Sequence, residues 1–336
     1  MANNHDGLLV RILKKDEYGM WDDFVEDSEQ NSVFSKSFWA DNICIHTKNK
    51  FHIYGVFNKN NELVAGLPIY SRRKGMFVIA IYPPITPFMG VVYARRKTDN
   101  FSKIESYQKE VVSALNERVK KDFGYITLAL HPSVIDVRPF KWENWTIDMA
   151  YTYYVNLSDM GLLWKQLDKS TKYDIKKAEK NDLVFFESDE IKDFYQIYSG
   201  TYSRQKMTAP VSENFIYGLY KTLKPKNLCK LYFVKKGSEL IASSLVVFDS
   251  NMAYYLLAAS NHEFKQYKAS SLLLWKILED VSSKYKEIDL VGANTPKIIS
   301  FKRGYVSKLV PYYVISKTSS SFMKFLIGFY KLASKK

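Results

Sequence analysis

Four groups of side chains have the type and spacing to do chemistry. Phe301-Lys302 places an ammonium beside an aromatic ring, and a fixed ammonium in a partly dry site stabilises developing negative charge. A solvated lysine at a strand edge is the plainer reading. Asp289, three residues before Gly292 at the end of an apolar run, has the position of a general base or of a hydrogen-bonded structural carboxylate. Arg204, with Lys206 close by, could grip phosphate bidentately, or pair on the surface with an acid such as Glu213. Lys169, Lys172, Lys176 and Lys180 recur at helical spacing, so one face gathers four charges opposite Leu163, Leu167, Ile175 and Ala178. That face suits a polyanion or plain solvent. The five histidines, including His52, His131 and His262, fall in no ligand spacing, and the two cysteines, Cys44 and Cys229, are lone thiols. No metal site and no disulfide framework are expected.

The elements that must position these groups alternate between strands and helices. In the first half, strands are expected over 8–13, 51–57, 63–70, 76–82 and 125–130, with helices near 16–26, 37–45 and 100–121. The second half repeats that order, with a helix over about 161–180, a strand over 183–187 and helices over 191–202 and 212–223. Strands at 229–234, 240–248 and 253–259 follow, then a helix over 270–284 and a strand over 288–291. His52-Ile-Tyr-Gly-Val56 with Glu62-Leu-Val-Ala-Gly-Leu67 resembles Lys230-Leu-Tyr-Phe-Val234 with Glu239-Leu-Ile-Ala-Ser-Ser-Leu245. From Glu62 to Glu239 is 177 residues, about half of the 336-residue chain, so the match implies two copies of one domain. The expected division is 1–153, 154–317 and a basic amphipathic tail, 318–336, which could dock on a membrane interface or pack on the protein itself.

Residues 160–315 are similar to the transferase module of FemAB-type enzymes, a branch of the GNAT acyltransferase superfamily. Four stretches carry the resemblance. They are Trp164-Lys-Gln-Leu-Asp-Lys-Ser-Thr-Lys-Tyr-Asp-Ile-Lys-Lys-Ala-Glu-Lys180, Phe194-Tyr-Gln-Ile-Tyr-Ser-Gly-Thr-Tyr-Ser-Arg204, Ala258-Ala-Ser-Asn261 with Ala269-Ser-Ser-Leu-Leu-Leu-Trp275, and Asp289-Leu-Val-Gly292 with Phe301-Lys-Arg-Gly-Tyr305. In the first half, Asp136-Val-Arg-Pro-Phe-Lys-Trp142 resembles the family's domain-closing segment.

The resemblance implies an α/β fold of tandem GNAT-like domains, each a mixed central sheet flanked by helices. It implies that Lys302, with Phe301, stabilises the oxyanion formed when an amine attacks an acyl carbonyl, with Asp289 as a candidate base. It implies that Arg204 and Lys36 hold an anionic acceptor, with Trp39 and Lys172 nearby. Gln266-x-x-Ala269-x-Ser271, with Lys268 and Ser270, is a degenerate version of the family's coenzyme A pyrophosphate loop, or a plain capped helix start. No cofactor is bound permanently; the acyl donor is either acyl-coenzyme A or aminoacyl-tRNA.

Composition bounds the partners. Net charge is +14, from 49 Lys+Arg against 35 Asp+Glu, which attracts anions: a nucleotide, tRNA, a lipid-linked precursor or an acidic membrane face. No apolar run reaches the roughly 18–20 residues of a bilayer span, so the expected place is the cytoplasm, with contact at the inner membrane face open through the tail. Three functions fit: acyl or aminoacyl transfer to an amine on an anionic cell-envelope precursor, acetyl-coenzyme A-dependent N-acetylation of an amino sugar, and non-catalytic binding of nucleic acid or membrane. Oligomeric state is not readable.

Overall fold

Runs of β-branched and aromatic residues between polar turns become strands in both halves of the chain. The computed structural model describes residues 7–319, except 46, 48, 96, 97 and 205. Contacts divide them into two units: residues through Ala150 with those from Tyr312 onward, and the continuous stretch Tyr151–Pro311. The tail from residue 320 lies outside the described residues.

In the first unit, β1 (Leu9–Ile12) is followed by α1 (Tyr18–Glu26), α2 (Ser37–Ile45) and the antiparallel hairpin of β2 (Lys50–Phe57) and β3 (Leu63–Lys74). β4 (Phe77–Ile81) pairs back on β3, and the short β5 (Val92–Tyr93) meets Ala65 and Gly66. α3 (Phe101–Asp122) crosses over to β6 (Tyr125–Ala129), which runs parallel to β4. The side chain of Asn100 caps α3 by accepting from the Lys103 N–H, and Lys120 and Lys121 complement its C-terminal dipole. α4 (Arg138–Trp142) and β7 (Thr146–Asn156) lead into the second unit.

The second unit runs α5 (Met160–Gln166), α6 (Lys169–Glu179), β8 (Leu183–Glu187), α7 (Ile191–Ser203) and α8 (Glu213–Leu223), then the strands β9 (Cys229–Lys236), β10 (Glu239–Phe248) and β11 (Ala253–Ser260). α9 (Ala269–Val281), β12 (Glu287–Asp289) and α10 (Pro296–Lys302) complete it. β13 (Lys308–Thr318) then returns to the first unit, where Val314–Thr318 pair with β6. Strand order is β1-β2-β3-β4-β6-β13 in the first unit and β8-β9-β10-β11-β12-β7 in the second. These are the same sheet built twice.

The repeat legible in sequence has a physical counterpart. Val56 pairs with Ala65 and Val234 with Ala242, each hairpin carrying a register shift next to its turn. Tyr54 donates to Asp122 at the end of α3 (2.8 Å), and its counterpart Tyr232 donates to Asp280 near the end of α9 (2.6 Å). Each copy thus ties its hairpin to its crossover helix with one phenol–carboxylate bond. Where one helix was expected over 161–180, two are found. Leu167 is extended (φ −51°, ψ 145°), and the Asp168 N–H leaves the helix to bond Gly304 O at 3.1 Å.

The first unit draws its sixth strand from beyond the second unit. That strand is anchored by the fully buried Ile315 and by the Lys317 ammonium, which donates to Asn116 Oδ1 and Glu143 O, both at 2.6 Å. A fragment spanning 151–311 therefore contains a full sheet and should melt cooperatively, whereas 1–150 should not until a peptide of residues 308–319 is added. Circular dichroism melts of the fragments test this; cooperative unfolding of 1–150 alone would refute it.

Candidate functional site

The two sheets differ where their parallel strands part. In the second unit β11 and β12 pair for two residues only, Ala253 with Ile288 and Tyr254 with Asp289. After that the chain beyond β12 stays with β7, Leu290 N donating to Tyr153 O (2.8 Å) and Ala293 N to Tyr151 O (3.3 Å). β11 continues to Ser260 with a ladder on its β10 side alone. Among the described residues, β11 beyond Tyr254 thus has a strand partner on one side only.

The first unit begins the same parting, with Ile79 opposite Tyr125 and Ala80 opposite Ile126. There the gap is filled by the chain itself. Met89 N donates to Ala129 O at 2.8 Å, forming an antiparallel bridge, and Phe88 and Met89 are buried. The fit is close enough to need glycine: a Cβ on Gly90 would lie 2.6 Å from a methyl of Leu130. Among the described residues no such bridge fills the corresponding place in the second unit.

Lys302, at the end of α10, lies against the exit of β12. Its side chain is buried, and its Nζ donates to Leu290 O at 2.6 Å and to Val291 O. Two of three N–H bonds are thereby used. Burial lowers the ammonium's pKa to about 8, with the nearby Asp289 carboxylate acting in the opposite sense. Asp289 is fully buried; its Oδ1 accepts from Thr152 Oγ1 and from Val291 N (2.7 Å), while Oδ2 has no partner. Burial raises this carboxyl to about 7, against the lowering effect of those hydrogen bonds and of Lys302. An acid and a base with pKa values brought together in one dry place is the arrangement expected where protons move.

The motif around Lys302 ties three elements together. Lys302 holds the β12 exit, and Gly304 O takes the Asp168 N–H at the start of α6. Tyr305 OH donates to Ser271 O at the start of α9 (3.0 Å). Gly304 must lack a side chain, since a Cβ there would meet Thr171 Oγ1 at 2.2 Å. Phe301, half-buried, packs edge-on against Tyr305, their centroids 5.5 Å apart.

The remaining candidates separate. Arg204, at the end of α7, lines a pocket of about 480 Å³ with Asp193, Glu239, Asn261, His262 and Glu263, and its guanidinium makes no ion pair among the described residues. Lys268 is left-handed (φ 60°) at the start of α9, with its ammonium 3.2 Å from Asp174. Gln266 is exposed in the preceding turn, and Ala269 and Ser271 are buried. The N–H groups of Ala269 and Ser270 donate to nothing among the described residues. Lys172 caps α5, its Nζ 2.6 Å from Lys165 O, while Lys169, Lys176 and Lys180 are exposed.

Two candidates are turned inward, within the first unit. The Lys36 ammonium sits between Asp22 O and Glu26 Oε2, both at 2.6 Å, so it is already neutralised. Trp39 is fully buried and donates to Thr86 at 2.9 Å. Lys36 and Trp39, expected at an acceptor site, are thus bonded within the first unit. Sequence reading had not picked out Thr152, Val291 and the carbonyl of Leu290. Of these, only Val291 carried a signal, its place before Gly292 at a strand end.

Residues 165–303 match a family model described as an acetyltransferase (GNAT) domain. The second unit thus carries an acyltransferase domain of GNAT type, and the fold of the chain is that of tandem GNAT proteins. FemX has a similar structure, with a TM-score of 0.67 at 11% identity over 91% of this chain and 96% of that one. The C-terminal domain of a protein named as a lysylphosphatidylglycerol synthetase, from Agrobacterium fabrum, gives 0.59 at 12% identity over 92% and 95%. A tandem GNAT protein from the clavulanic acid biosynthesis pathway gives 0.54 at 11% over 93% and 99%. No curated protein sequence matches the chain. Among the described residues no helix is long and apolar enough to cross a membrane.

The two buried groups make stability depend on pH in opposite senses. Asp289 holds a proton in the folded state that the unfolded chain releases, so its contribution is full below about pH 4 and lost as pH rises toward 7. Lys302 sheds a proton that the unfolded chain keeps, so stability recovers between about pH 8 and 10.5. Urea midpoints measured against pH should fall and then rise across these windows, and Asp289→Asn should flatten the first. A variant that keeps the full descent would show that other groups cause it.

Proposed function

We propose that this protein transfers an acyl or aminoacyl group to an amine on an anionic cell-envelope precursor, at the opening between β11 and the β12 exit. The observation that supports the reading is the buried Lys302 ammonium beside the β12 exit, with one N–H beyond those given to Leu290 and Val291. Such a donor in a low-dielectric site favours an oxyanion over the ground-state carbonyl.

In the reaction the acceptor nitrogen attacks the acyl carbon and a C–N bond forms. The oxygen's negative charge builds toward Lys302, then collapses as the bond to the donor's sulfur or ribose oxygen breaks. The amine's proton must leave, and Asp289 Oδ2, unpartnered and near neutrality in pKa, is the nearest candidate to take it. Arg204 is suited to a phosphate or carboxylate of the acceptor, and the carboxylates of Asp193, Glu239 and Glu263 to its ammonium.

An acyl-coenzyme A donor, consumed as a substrate, is supported by the free edge of β11 and the unused N–H groups of Ala269 and Ser270, which match the amides and pyrophosphate of coenzyme A. The second reading, an aminoacyl-tRNA donor, draws on the exposed Lys169, Lys176 and Lys180 of the α6 face. With either, Lys302→Ala should lower kcat by a factor on the order of 100 or more and change KM only a few-fold. Lys302→Met, which keeps the buried stem, controls for folding. Assays pair acetyl-coenzyme A or charged tRNA with amine-bearing, phosphate-containing envelope precursors. Undiminished turnover without Lys302 would end the proposal.

A further inference from the structure

We infer that Val291 is a positioning residue for Lys302, an inference that rests on the acyl-transfer reading above. Val291 follows β12 in the left-handed region (φ 54°), and Gly292 stays there too (φ 68°). A β-branched residue is poorly suited to that conformation, because its Cβ crowds the following carbonyl. Such strain persists only where the surroundings over-determine it, and it gathers at functional sites.

The surroundings here are the two ionisable groups of the opening. The N–H of Val291 donates to Asp289 Oδ1 at 2.7 Å, and its carbonyl accepts from Lys302 Nζ. One residue therefore fastens the acid with its donor and the amine with its acceptor. Leu290 O supplies the second acceptor for the ammonium, at 2.6 Å. Asp289 is the charged group whose field reaches Lys302, and Thr152 holds the other bond to that carboxyl. An extended residue at 291 would point its N–H and carbonyl along the ladder and release both partners.

Chain reversal alone would be met by glycine at both positions. With Val291 in place the exit has one permissive residue; with glycine it would have two in succession and no fixed direction for either carbonyl. Val291 thus limits where the ammonium can rest, and the ammonium's third N–H inherits that limit.

The test compares Val291→Gly with Val291→Asn, because asparagine tolerates the left-handed region better than valine while keeping a side chain. The readouts are the Lys302 side-chain carbon resonance titrated against pH in lysine-labelled protein, the melting temperature, and kcat and KM. In Val291→Gly the loosened exit admits water, so the Lys302 midpoint should rise by about one pH unit or more toward an ordinary lysine. Its kcat should fall about tenfold with KM within twofold, while Tm holds or rises. Val291→Asn should keep the native midpoint and kcat. A native midpoint in the glycine variant would overturn the inference. So would a loss of Tm shared by both variants, which would mark Val291 as packing only. The titration needs no substrate, so failure of the acyl-transfer reading, seen as turnover surviving Lys302→Ala, stays separable from failure of this one.

Discussion

Backbone donors and acceptors in the middle of a sheet are costly to leave unpaired, and this fold twice creates a place where two parallel strands part. What happens to the exposed backbone decides what each unit can do. In the first unit the Phe88–Gly90 segment takes up the gap, Met89 bonding Ala129. In the second, the exit of β12 turns left-handed, its carbonyls go to Lys302, and the edge of β11 remains free. One architecture thus yields a copy bridged at this place and a copy without that bridge among the described residues.

The Phe301–Tyr305 segment is the keystone of the second copy. Four bonds from five residues reach the β12 exit, the start of α6 and the start of α9. All three elements are tied to this one segment, so a change in it would disturb them together. The lysine at its centre is desolvated yet never paired closely with an acid, and it therefore keeps a pKa within reach of neutral water.

Much of this was legible in the sequence, for physical reasons that differ by element. The hairpin repeat was readable because strand alternation and turn chemistry are local, and Val56–Ala65 and Val234–Ala242 do pair alike. The Phe-Lys-x-Gly-Tyr stretch was readable because its spacing is tight. The break between α5 and α6 was not, since Leu167 and Asp168 leave the helix for a partner more than a hundred residues away. The partners of Lys36 and Trp39, Glu26 and Thr86, were not readable, because side-chain type does not tell which way a residue faces. The strain at Val291 was hidden for a related reason, as a valine at a strand end reads as one more extended residue.

The second unit is an uninterrupted stretch set inside the first, whose last strand is β13. On a ribosome adding about 5–20 residues per second, the early half waits roughly 10–30 s for its closing strand. All that time the edge of β6 is bare and open to mispairing. A cut at the midpoint of such a nested chain would part the first unit from its closing strand while leaving the second unit's strands in one piece.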